Sequence, residues 1–110
     1  MSENLYYRQL ADDLADSGIV PSSMFGMPVL KLGRKPICGL TEDGLNFKLP
    51  VGSTMYDTAT SLPGAHLFQP EMRGKKGPLM KQWVVVPFEH HGLYPAIAME
   101  SIKFVASETT

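Results

Sequence analysis

Ile37-Cys38-Gly39-Leu40-Thr41, then Glu42-Asp43-Gly44, then Leu45-Asn46-Phe47-Lys48-Leu49: this stretch decides the fold class. Asp-Gly supplies the positive φ angles that a tight turn needs, and the residues on either side read as strands. The second arm alternates apolar and polar, so Leu45, Phe47 and Leu49 form one buried face. Pro50 ends it. A tight hairpin forces antiparallel pairing, and the rest of the chain is read outward from it.

Upstream, Met27 to Leu32 reads as a strand and Gly33-Arg34-Lys35-Pro36 as a turn. Before that, Tyr6, Leu10 and Leu14 recur every four residues, which predicts a helix over 3–16 stopped by Gly18 and Pro21. Downstream, Ser53 caps a short helix over Thr54 to Ser61. Ala65 to Gln69 is the fourth strand. The segment Glu71 to Leu79 mixes glycine, proline and basic residues and reads as a mobile loop. Lys81 to Val86 is the fifth strand, and its unbroken apolar run suits an interior position or a dimer contact. Tyr94 to Ala106 is the last helix, with Pro95 in its first turn and an apolar stripe of Ile97, Ala98, Ile102 and Val105. The order is α-β-β-β-α-β-β-α. It predicts a single-domain, two-layer α+β sandwich with a five-stranded, mainly antiparallel sheet.

The chain has 110 residues, 44% of them hydrophobic and 19% charged, which suits one soluble globular domain. Its apolar runs are too short to cross a membrane as a helix, and residues 1–4 do not begin a secretory signal. A single cysteine, Cys38, forms no internal disulfide and fits a reducing cytoplasm. The formal net charge of −1 hides an asymmetry. Residues 31–81 hold eight basic and four acidic residues, and the remainder holds two basic and seven acidic ones. The middle of the chain therefore reads either as ordinary solvated loops or as one positive face.

Few constellations carry chemistry. His66, His90, His91 and Cys38 do not stand at metal-ligand spacing. Cys38 sits within a strand, as a small buried hydrophobe does, so no nucleophile–base arrangement is read. Asp12-Asp13 and Glu42-Asp43 read as solvent-facing pairs. Arg73-Gly74-Lys75-Lys76-Gly77 lacks the helix and hydroxyl of a P-loop, but its flexible basic side chains suit an anion. With Lys81, and with Arg34 and Lys35 from another turn, it forms a candidate nucleic-acid contact. The overall pI of about 6.3 and the absence of a recognition helix weigh against that reading. Phe25, Phe47, Phe68, Phe88, Trp83 and Tyr94 read as core, or in part as the lining of a groove or dimer interface. No cofactor is read from the residues.

Several stretches belong together: Met24-Phe25-Gly26-Met27-Pro28, Leu62-Pro63-Gly64-Ala65, Phe68-Gln69-Pro70 and Met80-Lys81-Gln82-Trp83-Val84-Val85-Val86-Pro87. As a set, from about Leu14 to Ala106, they resemble the N-terminal domain of the TfoX/Sxy family. The resemblance implies a small α+β sandwich and a non-enzymatic, cytoplasmic regulatory module acting through protein contacts. TfoX-like proteins are associated with control of natural competence in bacteria, and the family offers no catalytic residues to carry over. In that regulator a second, helical domain follows; the resemblance here covers the first only. Relatives often carry tryptophan near Tyr94, whose hydroxyl needs a partner if the ring is buried. Direct nucleic-acid binding, anion or small-molecule sensing by the 73–81 loop, and homodimerisation are the other expectations.

Overall fold

The computed structural model describes residues 4–24, 26–72 and 74–108. The first helix, α1 (Leu5–Leu14), begins at Asn4, whose side-chain oxygen accepts from the backbone N–H groups of Tyr6 and Tyr7. It tightens into a 3₁₀ turn over Ala15–Ser17 and stops at Gly18, left-handed at φ 82°. Glu3, where the sequence would start this helix, lies outside the described residues.

Among the described residues eight strands follow in two sheets: β1 (Ile19–Met24), β2 (Met27–Leu32), β3 (Lys35–Leu40), β4 (Gly44–Lys48), β5 (His66–Phe68), β6 (Glu71–Met72), β7 (Lys75–Lys76) and β8 (Met80–Pro87). Helix α2 (Thr54–Thr60) lies between β4 and β5, and a 3₁₀ segment over Phe88–Leu93 leads from β8 into α3 (Tyr94–Glu108). The main sheet is open, six-stranded and antiparallel in the order β1-β2-β3-β4-β8-β5. The β6–β7 pair stands apart as its own hairpin.

The α+β class holds, while the strand count and element order need correction. Ile19–Met24 is a strand the sequence reading lacks, because Pro21 there signals a break. On an edge strand the missing N–H of proline faces away from the ladder and leaves no gap in it. The 71–79 segment is not a loop throughout: Glu71 pairs with Lys76 and Met72 with Lys75. The turn after β2 is shorter than expected, since Lys35 and Pro36 already belong to β3.

Gly44 is needed for a different reason from the one its Asp-Gly context gives. It is absent from the positive-φ glycines and lies inside β4, opposite Pro87. A Cβ there would press on the backbone of Val86 and Pro87. The turn before it is held by Thr41, whose hydroxyl accepts from the N–H of Gly44 at 3.1 Å and donates to its carbonyl at 2.8 Å.

All three helices feed one core. Leu10 and Leu14 of α1, Ala59 of α2, and Tyr94, Ile97, Ala98 and Val105 of α3 meet Leu30, Ile37, Cys38, Leu45, Phe47, Val84 and Val86 of the sheet. A register shift between β2 and β3 leaves Ile37 without a strand partner, and both Ile37 and Cys38 lie in the core. Ser53 caps α2 by accepting from the N–H of Tyr56. Buried Tyr94 finds the partner its hydroxyl requires: it donates to the carbonyl of Val86 at 2.7 Å. Burial also pushes the Tyr94 phenol well above its ordinary pKa.

Candidate functional site

Antiparallel pairing sends successive strands in opposite directions, so each end of the sheet collects a fixed set of turns. One end holds the close of β2, the start of β3, the close of β4 and the start of β8. Lys31, Arg34, Lys35, Lys48 and Lys81 all stand there. The β6–β7 hairpin, with Lys75 and Lys76, joins the end of β5 to the start of β8 and hangs from the same end. Folding thus gathers five of the six basic residues singled out from sequence; Arg73 lies outside the described residues. At about 4.8 Å per strand, Arg34 and Lys81 are separated by a lateral gap of about 10–15 Å.

The positive end is not pure. Glu71 stands directly across from Lys76. Lys48 is drawn to Glu108 at the end of α3, with Nζ 3.0 Å from the carboxylate and over the Phe104 ring. The opposite end of the sheet carries Glu42 and Asp43 in the β3–β4 turn, Glu89 just after β8, and His66 at the start of β5. Charge is therefore polarised along the strands.

At the acidic end His66 and Asp43 form a pair that no local motif announces, since they lie 23 residues apart. Nε2 of His66 is 2.7 Å from Oδ2 of Asp43, and Nδ1 is 3.1 Å from the carbonyl of Leu67. Both ring nitrogens face acceptors, an arrangement that favours the doubly protonated imidazolium. The hydrogen bond that His66 donates to Asp43 holds the His66 pKa above its ordinary value, and the same bond holds that of Asp43 below its own. Both side chains are about half exposed, so the pair contributes less than about 1 kcal/mol.

That contribution is fully present between the ordinary pKa values of the two groups, 3.8 and 6.5. It is lost as pH rises through the elevated value of His66, and again as pH falls through the depressed value of Asp43. The urea midpoint of the protein is expected to drop slightly from pH 6 to pH 8, and a His66→Gln variant to lose that component. Equal slopes in the two proteins would show that the pair adds nothing.

The pair lines an open hollow of about 320 Å³ with Thr41, Glu42, Phe68, Gln69 and Val85. Most polar groups around it already have partners. His66 uses both nitrogens, Asp43 meets His66 and Thr41, and Gln69 donates to the carbonyl of Gly77. A smaller hollow of about 40 Å³ lies between α1 and α3, beside Tyr6, whose ring stacks on Phe88 and lies 4.8 Å from that of His91. Burial raises the Cys38 thiol far above the range in which a thiolate forms near neutral pH. Among the described residues no group of three or more His, Cys, Asp or Glu side chains is placed to hold a metal ion, and no helix is long and apolar enough to cross a membrane.

No protein-family model, curated protein or solved structure matches this chain.

The face of the sheet turned away from the helices is the remaining surface. One register row crosses all six strands: Ser22, Val29, Gly39, Asn46, Val85 and His66. Val29 and Val85 are buried but lie outside the helix-side core. Asn46 is 1% exposed, and neither its Nδ2 nor its Oδ1 has a partner. Although β4 alternates apolar and polar residues, neighbouring side chains close the centre of this face over Asn46. A Cβ at Gly39 would lie 2.7 Å from Oδ1 of Asn46 and 3.0 Å from the methyl of Met27, so those two side chains fill the space above it. Around this closed centre, Met24, Met27, Phe68 and Trp83 are half-buried. An unpaired buried amide is unfavourable by about 1–3 kcal/mol. Asn46→Val is therefore expected to raise Tm by a few degrees, and a clear fall would show that the amide has partners in solution.

Proposed function

We propose that this chain is a non-enzymatic regulatory module of the TfoX N-terminal type, acting through protein contacts on the helix-free sheet face. One observation carries the reading. That face is closed at its centre and ringed by half-buried Met24, Met27, Phe68 and Trp83, with Val20 exposed at its edge. Large, partly covered apolar and aromatic side chains on a flat surface are what protein interfaces use as anchors. The resemblance of the motif set to the TfoX N-terminal domain suggests transcriptional or regulatory control as the setting. The test compares partner retention by the wild type and by a Val20→Lys, Met24→Lys variant whose fold is verified by circular dichroism. A partner held by the first and released by the second is expected. Substrate turnover that disappears on replacing one polar residue would overturn the reading.

A second reading, polyanion binding, is favoured by the gathering of Arg34, Lys35, Lys75, Lys76 and Lys81 at one end of the sheet. Such contacts release counterions, so duplex DNA is expected to be retarded at low salt and freed as salt rises. An Arg73→Ala, Lys75→Ala, Lys76→Ala variant is expected to bind more weakly and with a shallower salt dependence. Absence of retardation at low salt would remove this reading.

A further inference from the structure

We propose that the partner of the helix-free sheet face is a second copy of this chain, packed face to face with the strands of the two copies running end to end in opposite senses. The inference rests on the protein-contact reading and names its partner.

The edges of the sheet are poor places to extend it. β1 carries Pro21, and β5 is three residues long, with Pro70 following soon after. Growth by adding a strand is therefore blunted on both sides, and the face is left. Six strands about 4.8 Å apart and about five residues long span about 500 Å². Two copies would bury about 1,000 Å², near the lower limit of a specific interface before rim residues are counted.

Charge chooses the orientation. By strand alternation Lys31, opposite Val20, lies on this face at the basic end of the sheet, and exposed Lys81 stands at the same end near the start of β8, where the pairing with β5 shifts register. Asp43, Glu42 and His66 rim the same face at the acidic end, around the hollow floored by Val85. A two-fold axis along the strands would set basic end on basic end. An axis across the strands sets basic end on acidic end, and each contact then occurs twice. β8 would lie over β8 of the second copy, reversed. Exposed Lys81 near the start of β8 would face the β3–β4 turn of the other copy, where Glu42 is exposed. Sheets packed this way keep their strands within about 30° of alignment, so the register survives the twist. Trp83, the single tryptophan, is half-buried on this face, two residues along β8 from exposed Lys81.

The experiment is sedimentation equilibrium of the intact chain, with Trp83 emission followed over the same concentrations. Dimerisation with a blue shift is expected, weakening as salt is raised. Lys81→Glu alone and Glu42→Lys alone each place like charges together twice and are expected to weaken the dimer at least about 10-fold. The double variant Lys81→Glu, Glu42→Lys restores opposite charges and is expected to return to within about 3-fold of the wild type. Because both side chains are exposed, all three variants should fold, which circular dichroism checks. A wild type that stays monomeric to about 1 mM would overturn the proposal. So would a dimer indifferent to Lys81→Glu with unmoved Trp83 emission. Either result leaves the protein-contact reading to be decided by its own partner-retention test.

Discussion

Gly44→Ala is expected to remove at least about 3 kcal/mol of stability, enough to unfold much of a marginal domain at 37 °C. The added methyl would meet backbone, not a side chain that can swing aside. It would stand 2.7 Å from the carbonyl carbon of Val86 and 2.9 Å from Cα of Pro87. Both belong to β8, which is held by β4 on one side and β5 on the other. To admit the methyl, β4 and β8 must separate at their first pair, and the turn bonds from Thr41 must shift with them. This lies at the upper end of overpacking costs. Gly92→Ala is the control, because a Cβ there meets nothing within 4 Å. Urea denaturation should show a large loss for the first variant and almost none for the second. A Gly44→Ala midpoint equal to that of the wild type would mean that the close approach does not exist in solution.

Phe47→Ala is expected to destabilise by about 3–5 kcal/mol. The ring is fully buried at the centre of β4, with Cys38 and Val84 as its cross-strand partners and the Tyr94 ring 5.4 Å away. It therefore joins the sheet layer to the start of α3. Losing it leaves a cavity bounded by two strands and a helix, none of which can collapse without breaking its own hydrogen bonds. Phe47→Leu keeps most of the volume and is expected to lose less than half as much. Thermal unfolding of the two variants side by side gives the comparison; near-equal losses would show that the site can repack around either residue.

The parts of the fold legible in sequence are those governed by local chemistry. Alternation located Leu45 and Phe47 on the core side of β4 and Leu49, just past its end, in the same core, Ser53 and Gly18 marked helix ends, and the unbroken Val84-Val85-Val86 run marked an interior strand. What sequence did not show depends on neighbours far along the chain. Pro21 is compatible with a strand only because β1 is at an edge, and edge position is set by the whole sheet. Asn46 follows the polar phase of its strand, yet it is buried by Met27 and Gly39 from strands β2 and β3. The Asp43–His66 pair joins a turn to a strand 23 residues away. For the basic residues, their types were visible at once, but their assembly at one end of the sheet follows from strand direction. The acidic partner of Lys76 follows from a hairpin that glycine and proline content had disguised as a loop.

Cys38 has no exposed surface and no disulfide partner, and its burial suppresses the thiolate on which alkylation depends. Because the side chain lies against the innermost layer of the core, a reagent such as iodoacetamide has no route to it while that layer stays shut. Its modification rate in plain buffer is therefore a clock for the deepest opening of the molecule. Read against time, one sulfur atom reports how often the entire core comes apart, without denaturant, label or added probe.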